Sequence, residues 1–476
     1  MEQYAVHDFA FQSDASYEIP FDVEFSAVFR GSEGQELVIP GFYDGEGTWK
    51  VRFSPTAPGE WTYQTRSTDP RLDGIRGKPI KCTPNRNPLV HGGLLVDPAY
   101  PHHFVHQDGT RYFLAGDECD WLFALDFDLG QRYLDGIAAH GFNHVVMQVY
   151  AHHSDWGLGK PHCVSPPAMF PWRGTNEHPD HSQLDPAFFR HLDRMVDYMH
   201  QRGIISDLMI LVHNKHVQWP AFGSADDDRY WRYLVARYQA YSNVVWNLSK
   251  EGWYVKDTGY WNSRVDLIRR LDAYRRLVTI HDVNLPTCDF LADQQHSDFY
   301  NHILRERQAR PWPVVNVEFG YEPGPIATYG NTNPEELRRR LWQIYMAGGY
   351  GVYYYCDTAW DVVLLEPEPR GYDWMAALLK AFRRVPYWEM EPDNELTDRG
   401  LCLAKPGEHY LVYLAEGGRA RVQVELAGAS LPAAWISPRN GDVVEAAPIT
   451  TSPAQLIHPA SFGPGDAVLH IGRPVK

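Results

Sequence analysis

Alternation of apolar and polar positions dominates the first part of the chain. Residues 48–53 and 61–65 alternate in this way and are separated by a turn rich in Pro and Gly at residues 54–60. A period of two predicts strands that bury one face. Pro84 and Pro88, with Asn85 and Asn87 near them, interrupt the pattern. We therefore predict a small β-sandwich over residues 1–88 that ends in a linker.

From residue 89 to residue 387, apolar runs alternate with stretches of helical periodicity. The apolar runs of strand character are residues 114–117, 143–150, 204–212, 244–248, 277–281, 313–318 and 351–355, and one more strand is expected near residue 290 or at 297–300. Helical spacing is found at residues 188–199, 265–274 and 374–384, and Asn333 followed by Pro334 is typical of a helix start. Eight strands alternating with helices over about 300 residues predict a (β/α)8 barrel.

The last part of the chain, residues 388–476, returns to strand patterns. Residues 401–404 and 409–414 are apolar runs that predict a hairpin, and residues 421–426 alternate cleanly. We predict a second small β-sandwich here. The fold class is therefore α/β, a (β/α)8 TIM barrel flanked by two small all-β domains.

Composition and charge narrow the class of partner. The chain has 476 residues, 44% of them hydrophobic, and a formal net charge of −16, which argues against binding nucleic acid or an anionic membrane. The sequence contains no run of 18 apolar residues, so we predict no membrane span. Oligomeric state is left open, and the chain could form a homo-oligomer.

The N-terminus and the cysteines indicate the compartment. Residues 1–8 lack the basic region and apolar core of a signal peptide. The six cysteines are scattered without a CxxC pair, which predicts free thiols in a reducing compartment. We expect a cytoplasmic protein, or a secreted one if a signal peptide was removed.

Two glutamates carry the functional prediction. Glu251 follows the fourth predicted strand, and Glu318 ends the seventh. A (β/α)8 barrel places its chemistry at the carboxyl ends of its strands. Two carboxylates facing each other there are what hydrolysis of a glycosidic bond requires. The alternative for a single glutamate at a strand end is a salt bridge or a helix N-terminus.

Other polar and aromatic residues are predicted at the same end of the barrel, where the carboxyl ends of the strands form its mouth. The candidates for contact with a small oligosaccharide or glycoside are Asp117, Asp120, Trp121, His152, His213, Asn214, Lys250, His281, Tyr321 and Trp360. Glu118, Lys215 and Gln294 also fall at strand ends, without a predicted role. Asp117 and Asp120 could bind sugar hydroxyls or equally cap the next helix. Trp360 is a candidate stacking platform, and Tyr321 could donate a hydrogen bond to Glu318 or simply pack.

These motifs resemble the apiosidase-like glycoside hydrolases of the clan A (β/α)8 superfamily. The resemblance covers nearly the whole chain and rests on YDG (43–45), TWKVRFSP (48–55), PGEWTY (58–63), FLAGD (113–117), RLVTIH (276–281), PVVNVEFGYE (313–322), LCLAKPGE (401–408) and LVYL (411–414). It implies a small N-terminal β-domain, a catalytic barrel, and a C-terminal β-domain of the collagen-binding type. It also implies a retaining mechanism with Glu251 as acid/base and Glu318 as nucleophile.

The chain departs from the clan pattern at one position. The clan usually has Asn before the acid/base, where it binds the sugar's 2-hydroxyl, and this chain has Lys250. A lysine could donate to the same hydroxyl, or pair with Glu251 and lower its pKa. The leading hypothesis is an exo-acting retaining glycosidase for a plant-derived glycoside, such as a β-apioside, and the sequence leaves open whether the sugar is a furanoside or a pyranoside.

Two other functional hypotheses remain open at this point. A metal-dependent hydrolase on the same barrel could use His152, His153, His213, His281 and Asp117 as ligands, although no HxH motif opens the first strand. A non-catalytic carbohydrate-binding protein would account for Lys250. The leading hypothesis needs neither a metal nor a cofactor.

Overall fold

The N-terminal region folds into two antiparallel sheets that pack face to face. Its strands are β1 (His7–Gln12), β2 (Phe25–Gly31), β3 (Glu36–Pro40), β4 (Phe42–Tyr43), β5 (Thr48–Phe53), β6 (Gly59–Ser67) and β7 (Ile80–Cys82). One sheet has the order β1-β5-β4 and the other the order β3-β2-β6-β7. Between them Phe29 stacks on Phe53 with ring centroids 3.9 Å apart. This computed structural model, which describes residues 1–152, 156–213, 215–426 and 430–475, thus confirms the first predicted sandwich.

A three-stranded sheet covers the amino-terminal end of the barrel. It consists of β8 (Leu94–Val96), β9 (Phe104–His106) and β10 (Arg111–Tyr112). The ring of Phe104 lies 5.3 Å from that of Phe290 and 5.6 Å from that of Tyr350, both at strand starts. These aromatic contacts close the amino-terminal end of the barrel. The polar side chains lie at the opposite end.

The eight barrel strands form one parallel sheet that closes on itself. They are β11 (Gly116–Glu118), β12 (His144–Gln148), β15 (Ile205–Val212), β16 (Val244–Lys250), β17 (Val278–Thr279), β18 (Leu291–Asp293), β19 (Val314–Asn316) and β20 (Tyr350–Tyr353), with a hairpin of β13 (Trp172–Gly174) and β14 (Pro179–Leu184) inserted after β12. Their order is β17-β16-β15-β12-β11-β20-β19-β18, and a parallel bridge between His281 and Ala292 joins the two ends. The predicted (β/α)8 barrel is confirmed.

Helices follow the strands and cover the outside of the barrel. They are α1 (Phe127–Ala139), α2 (Pro186–Gln201), α3 (Ala225–Tyr238), α4 (Thr258–Leu271), α5 (Phe299–Ala309), α6 (Pro334–Met346), α7 (Cys356–Ala359) and α8 (Arg370–Phe382). The α6 start is as predicted, because the Asn333 side chain accepts from the Glu335 amide and Pro334 occupies the first turn. The sixth strand lies at Leu291–Asp293, near residue 290, whereas the alternative at residues 297–300 runs into α5.

The C-terminal region is a second antiparallel β-structure. Its strands are β21 (Glu391–Pro392), β22 (Leu401–Lys405), β23 (His409–Leu414), β24 (Arg419–Val422), β25 (Leu431–Ile436), β26 (Val443–Ile449), β27 (Ala454–Ile457) and β28 (Ala467–Ile471). Six of them form a sheet of order β21-β22-β23-β28-β25-β26, and β24 pairs with β27. The predicted hairpin of β22 and β23 is confirmed, whereas the strand expected at residues 421–426 begins earlier and ends at Val422.

Two further expectations concern cysteines and membranes. All six cysteines are free thiols, and five are buried, with Cys163 partly exposed. Within the described part of the chain, no helix combines the length and the apolar character that crossing a membrane requires.

Candidate active site

A buried ion cluster occupies the carboxyl ends of the barrel strands. The Lys250 ammonium, at the end of β16, donates to Glu118 Oε1 at 2.6 Å and to Glu318 Oε1 at 2.8 Å. Asp120 Oδ2 lies 3.1 Å from the same nitrogen. All four residues are at most 4% exposed. Residues far apart in sequence meet here because the parallel strands all end at one mouth.

Glu318 is held as an anion. Its Oε2 accepts a hydrogen bond from the Tyr321 hydroxyl at 2.7 Å and another from Gln294 Nε2 at 3.2 Å. Burial by itself would raise the pKa of Glu318, but the Lys250 ammonium and the hydrogen bond from Tyr321 outweigh it and lower the pKa to about 2. The carboxylate is therefore ionised throughout the range in which enzymes normally work.

The other two carboxylates of the cluster have the opposite tendency. Burial raises the pKa of Glu118 well above its usual range, and it raises the pKa of Asp120 to about 6 despite the Lys250 ammonium. The three acidic groups together raise the pKa of Lys250 well above its usual range, against the effect of burial. The lysine therefore stays positively charged, and three carboxyl groups surround it, of which Glu318 is the one held as an anion.

Glu251 lies at the edge of this cluster in an unusual backbone conformation. Its φ of 45° and ψ of 52° are left-handed, which is uncommon for a residue other than Gly. The chain turns here into a short 3-10 segment, Gly252–Tyr254, while the Gly252 amide still donates to the His281 carbonyl at 2.9 Å. Strained backbone of this kind concentrates at functional sites. The Glu251 side chain is partly exposed.

A second lysine and two tryptophans form the neighbouring wall. Lys215 Nζ lies 4.4 Å from the ring centroid of Trp360 and 4.6 Å from that of Trp156. Burial and the Lys250 charge lower the pKa of Lys215. Trp121 packs edge-on against Trp360 at 5.9 Å and is fully buried. Trp360 thus lies under a cation, within the aromatic wall of the mouth.

His281 approaches the cluster as a neutral ring. Its Nε2 lies 3.8 Å from Glu318 Oε1. Burial and the nearby Lys250 charge lower the pKa of His281 to about 3, so that the imidazole carries no charge near neutrality. Of the predicted contact residues, the structure brings Asp120, Lys250, His281 and Tyr321 to Glu318 or to its immediate partners.

Asp117 is not part of this group. Its carboxylate accepts from the hydroxyls of Tyr133 at 2.7 Å and Tyr372 at 3.0 Å, which belong to α1 and α8. Burial raises its pKa to about 7. Asp117 and Glu118 are consecutive in β11, so their side chains leave opposite faces of the strand. Asp117 therefore ties the barrel to its helices, and Glu118 enters the mouth.

The predicted histidines of the second and third strand ends have aromatic neighbours of their own. The His152 ring lies beside that of Phe170 at 6.4 Å. The His213 ring packs against Phe222 at 5.2 Å, and burial lowers its pKa to about 4. Asn214 and His153 lie outside the described residues. Among the residues that are described, no three His, Cys, Asp or Glu side chains are arranged to hold a metal ion.

Glu118, Gln294 and Lys215 have contacts that sequence reasoning did not assign. Their positions at strand ends were visible in the sequence. Their partners were not, because each contact joins residues from strands far apart along the chain. Two sequence features together could have suggested a charge cluster. One is the acidic run at residues 117–120, and the other is the unusual lysine at position 250.

Comparison with family models bears on the family of this chain, and comparison with solved structures bears on its fold. A family model described as "Apiosidase-like, catalytic domain" matches residues 100–389, and a domain of unknown function, DUF5060, matches residues 1–68. None of the curated proteins compared with the chain matches it.

Among solved structures, a proposed glycoside hydrolase from Bacteroides vulgatus ATCC 8482 is 22% identical, with a TM-score of 0.85 and 99% of both chains covered. A glycoside hydrolase family 5 protein from the same organism is 18% identical, with a TM-score of 0.63, covering 80% of this chain and 94% of that one. At these identities the structures establish the shared fold. The family model spans more than half of the sequence, and the chain therefore belongs to the apiosidase-like family.

Proposed function

We propose that this protein is a retaining glycoside hydrolase that removes a sugar from the end of a plant-derived glycoside. Glu318 is the nucleophile and Glu251 the acid/base. The observation that carries the proposal is the state of Glu318, a buried carboxylate at a strand end that is kept ionised by Lys250, Tyr321 and Gln294. A nucleophile must be an anion before substrate arrives, and this environment supplies one.

The first step forms a covalent intermediate. A Glu318 oxygen attacks the anomeric carbon, and the bond from that carbon to the glycosidic oxygen breaks as Glu251 gives its proton to the leaving oxygen. In the second step Glu251 takes a proton from water, and the water oxygen attacks the same carbon. The ester bond to Glu318 breaks, and the sugar leaves with its original anomeric configuration.

Several features support Glu251 as the proton-transfer group. It directly follows Lys250, the last residue of β16, and it is partly exposed. A proton-transfer group must reach both the leaving group and water, so partial exposure suits this role. Its strained backbone re-aims the side chain at the strand end.

The substrate is proposed from the family. We propose a furanoside, with a β-apioside as the first candidate, because the matching family model carries that description. Lys250 takes the position from which the clan's asparagine reaches the sugar's 2-hydroxyl, and its ammonium is a donor suited to the same hydroxyl. The predicted stacking role of Trp360 is not part of the proposal, because its ring is fully buried under the Lys215 ammonium and against Trp121.

The Glu318→Gln variant tests the nucleophile. We expect loss of turnover by at least about a thousandfold, because the covalent intermediate cannot form. Purified protein is first screened with 4-nitrophenyl furanosides and pyranosides, and NMR identifies the first-formed anomer of the hydrolysed sugar. Near-normal turnover by the variant, or an inverted anomer from the parent protein, would refute the mechanism. Binding of glycosides without turnover by the parent protein would favour a carbohydrate-binding function instead.

The Glu251→Gln variant tests the acid/base. Only poor leaving groups need a proton, so the variant should slow an alkyl glycoside far more than a 4-nitrophenyl glycoside of the same sugar. Azide, which needs no general base, should restore turnover of the activated substrate as a glycosyl azide. An equal loss on both substrates, without azide rescue, would remove Glu251 from this role.

A further inference from the structure

Three buried carboxylates surround one buried ammonium at the barrel mouth. An ion pair that only stabilised the fold would need one carboxylate per lysine. Burying additional carboxylates costs stability, because each loses its hydration. Glu118 and Asp120 are both fully buried. Within the described part of the chain, Glu118 Oε2 and Asp120 Oδ1 have no hydrogen-bond partner. The excess of acceptors indicates that the cluster serves the site rather than the fold.

The contacts define where the ammonium points. A lysine ammonium is a point charge at the end of a flexible stem, so its position depends on what holds it. Glu118 and Asp120, both from the end of β11, hold Lys250 from one side at 2.6 Å and 3.1 Å, and Glu318 holds it from another at 2.8 Å. The nitrogen is thereby kept on Oε1 of Glu318.

The choice of oxygen matters for the proposed reaction. Oε2 of Glu318 already accepts from both Tyr321 and Gln294, whereas Oε1 accepts from Lys250 alone among the described residues. A carboxylate oxygen has two acceptor sites, so Oε1 retains one for attack on the anomeric carbon. When that oxygen attacks the anomeric carbon, an ammonium bound to it would lie beside the neighbouring carbon, which carries the 2-hydroxyl.

We propose that Glu118 and Asp120 are positioning residues, which hold the Lys250 ammonium beside the attacking oxygen of Glu318 so that it can recognise the hydroxyl next to the reacting carbon. This inference rests on the proposed function. It extends it to two residues that act through Lys250 without touching the bond that breaks.

The first test is structural and does not depend on turnover. Crystal structures are determined for Glu118→Gln with Asp120→Asn, and for Asp117→Asn, which removes a neighbouring buried carboxylate with no contact to Lys250. In the double variant we expect Lys250 Nζ to move away from Glu318 Oε1, beyond hydrogen-bond distance. In the Asp117→Asn control it should stay. An unchanged Lys250 in the double variant would overturn the proposal.

The second test is a double-mutant cycle in which one change is made in the enzyme and the other removes the 2-hydroxyl from the substrate. The probes are 4-nitrophenyl β-D-apiofuranoside and its 2-deoxy analogue, or the corresponding pair for whichever sugar the screen identifies. Glu118→Gln should lower kcat/KM by about 10- to 100-fold on the full glycoside, mainly through kcat, and by less than about threefold on the analogue. Equal losses on both probes would overturn the proposal. Failure of the parent protein to hydrolyse any glycoside would instead refute the proposed function, and the crystal structures would still decide whether these residues hold Lys250.

Discussion

Lys250 is the residue whose contacts most change the interpretation of the mouth. The sequence left two partners open for it, a sugar hydroxyl or Glu251. In the structure its ammonium binds Glu118 and Glu318, with Asp120 close by. The pKa of Glu318 is the property that this arrangement controls most directly. A lysine in place of the usual asparagine therefore sets the charge state of the proposed nucleophile.

The Lys250→Met variant should shift the acidic side of the pH profile. Without the ammonium, burial dominates and the pKa of Glu318 rises from about 2. Activity needs the ionised carboxylate, so the acid limb of kcat/KM should move to higher pH, and activity should be lost sooner as the pH falls. The measurement is kcat/KM against pH with an activated aryl glycoside.

Lys215→Met is the matched control for this shift. Lys215 is also buried at the mouth, but its ammonium contacts the rings of Trp156 and Trp360 rather than Glu318. Its removal should move the acid limb much less than removal of Lys250 does. Equal shifts in both variants would show that the acid limb responds to any positive charge at the mouth, rather than to the contact between Lys250 and Glu318 Oε1.

At the scale of elements, the loops after the last two strands are held by a buried glutamate. Glu322 accepts from the amides of Arg370 at 2.9 Å and Gly371 at 3.0 Å, which start α8, and from the Tyr353 hydroxyl. It thus caps a helix that has no side-chain cap of its own. The sequence motif that contains Glu318 and Glu322 therefore combines a candidate catalytic residue with a structural one.

The Glu322→Ala variant should be markedly less stable. It leaves two helix N–H groups and a buried hydroxyl without their acceptor, at a cost of about 2–3 kcal/mol. The expected result is a lower unfolding midpoint in thermal or urea melts. Glu336→Ala is the control, since Glu336 in α6 is partly exposed and, among the described residues, forms its ion pair with Arg340. That change should cost less than about 0.5 kcal/mol. Similar midpoints for both variants would contradict the capping role.

Elements with strong local signals were predictable, and weak ones were not. The helix α6 has a capping Asn and Pro at its start, so its beginning was found to the residue. The helix α3 was missed because its sequence is polar, yet tertiary contacts bury Arg229 and Arg237 within it. The sixth barrel strand, β18, has three residues, and so short a pattern left two positions open for it.

At the scale of the whole molecule, buried arginines join the domains. Arg52 in β5 binds Asp8 in its own sandwich and reaches Asp193 in α2 at 2.9 Å. Arg237 in α3 binds the same Asp193 at 2.7 Å and Asp44 of the sandwich at 2.9 Å. The two guanidinium groups lower the pKa of Asp193 despite its burial. The N-terminal sandwich is therefore attached to the barrel by a shared ionic network.

Replacing Arg52 with Met should weaken this attachment. The change leaves Asp8 and Asp193 with one fewer cation in a buried setting, which we expect to cost about 3 kcal/mol. Differential scanning calorimetry should show a lower unfolding midpoint or a separate transition for the sandwich. Arg30→Met is the control, because Arg30 pairs with Glu36 on the surface, with both side chains half-exposed. A midpoint equal to that of the control would contradict the network.

Local patterns were enough to predict the architecture and to place two glutamates at the ends of barrel strands. Periods of two and of 3.6 residues are set by backbone geometry, so the sandwiches and the barrel were visible in the order of apolar and polar residues. The charges at the mouth were a different matter. Whether Lys250 would meet Glu251 or Glu318, and whether Asp117 or Glu118 would enter the mouth, depended on distances between strands far apart in sequence. Electrostatic energies fall off with distance and depend on burial, and only closure of the barrel sets both.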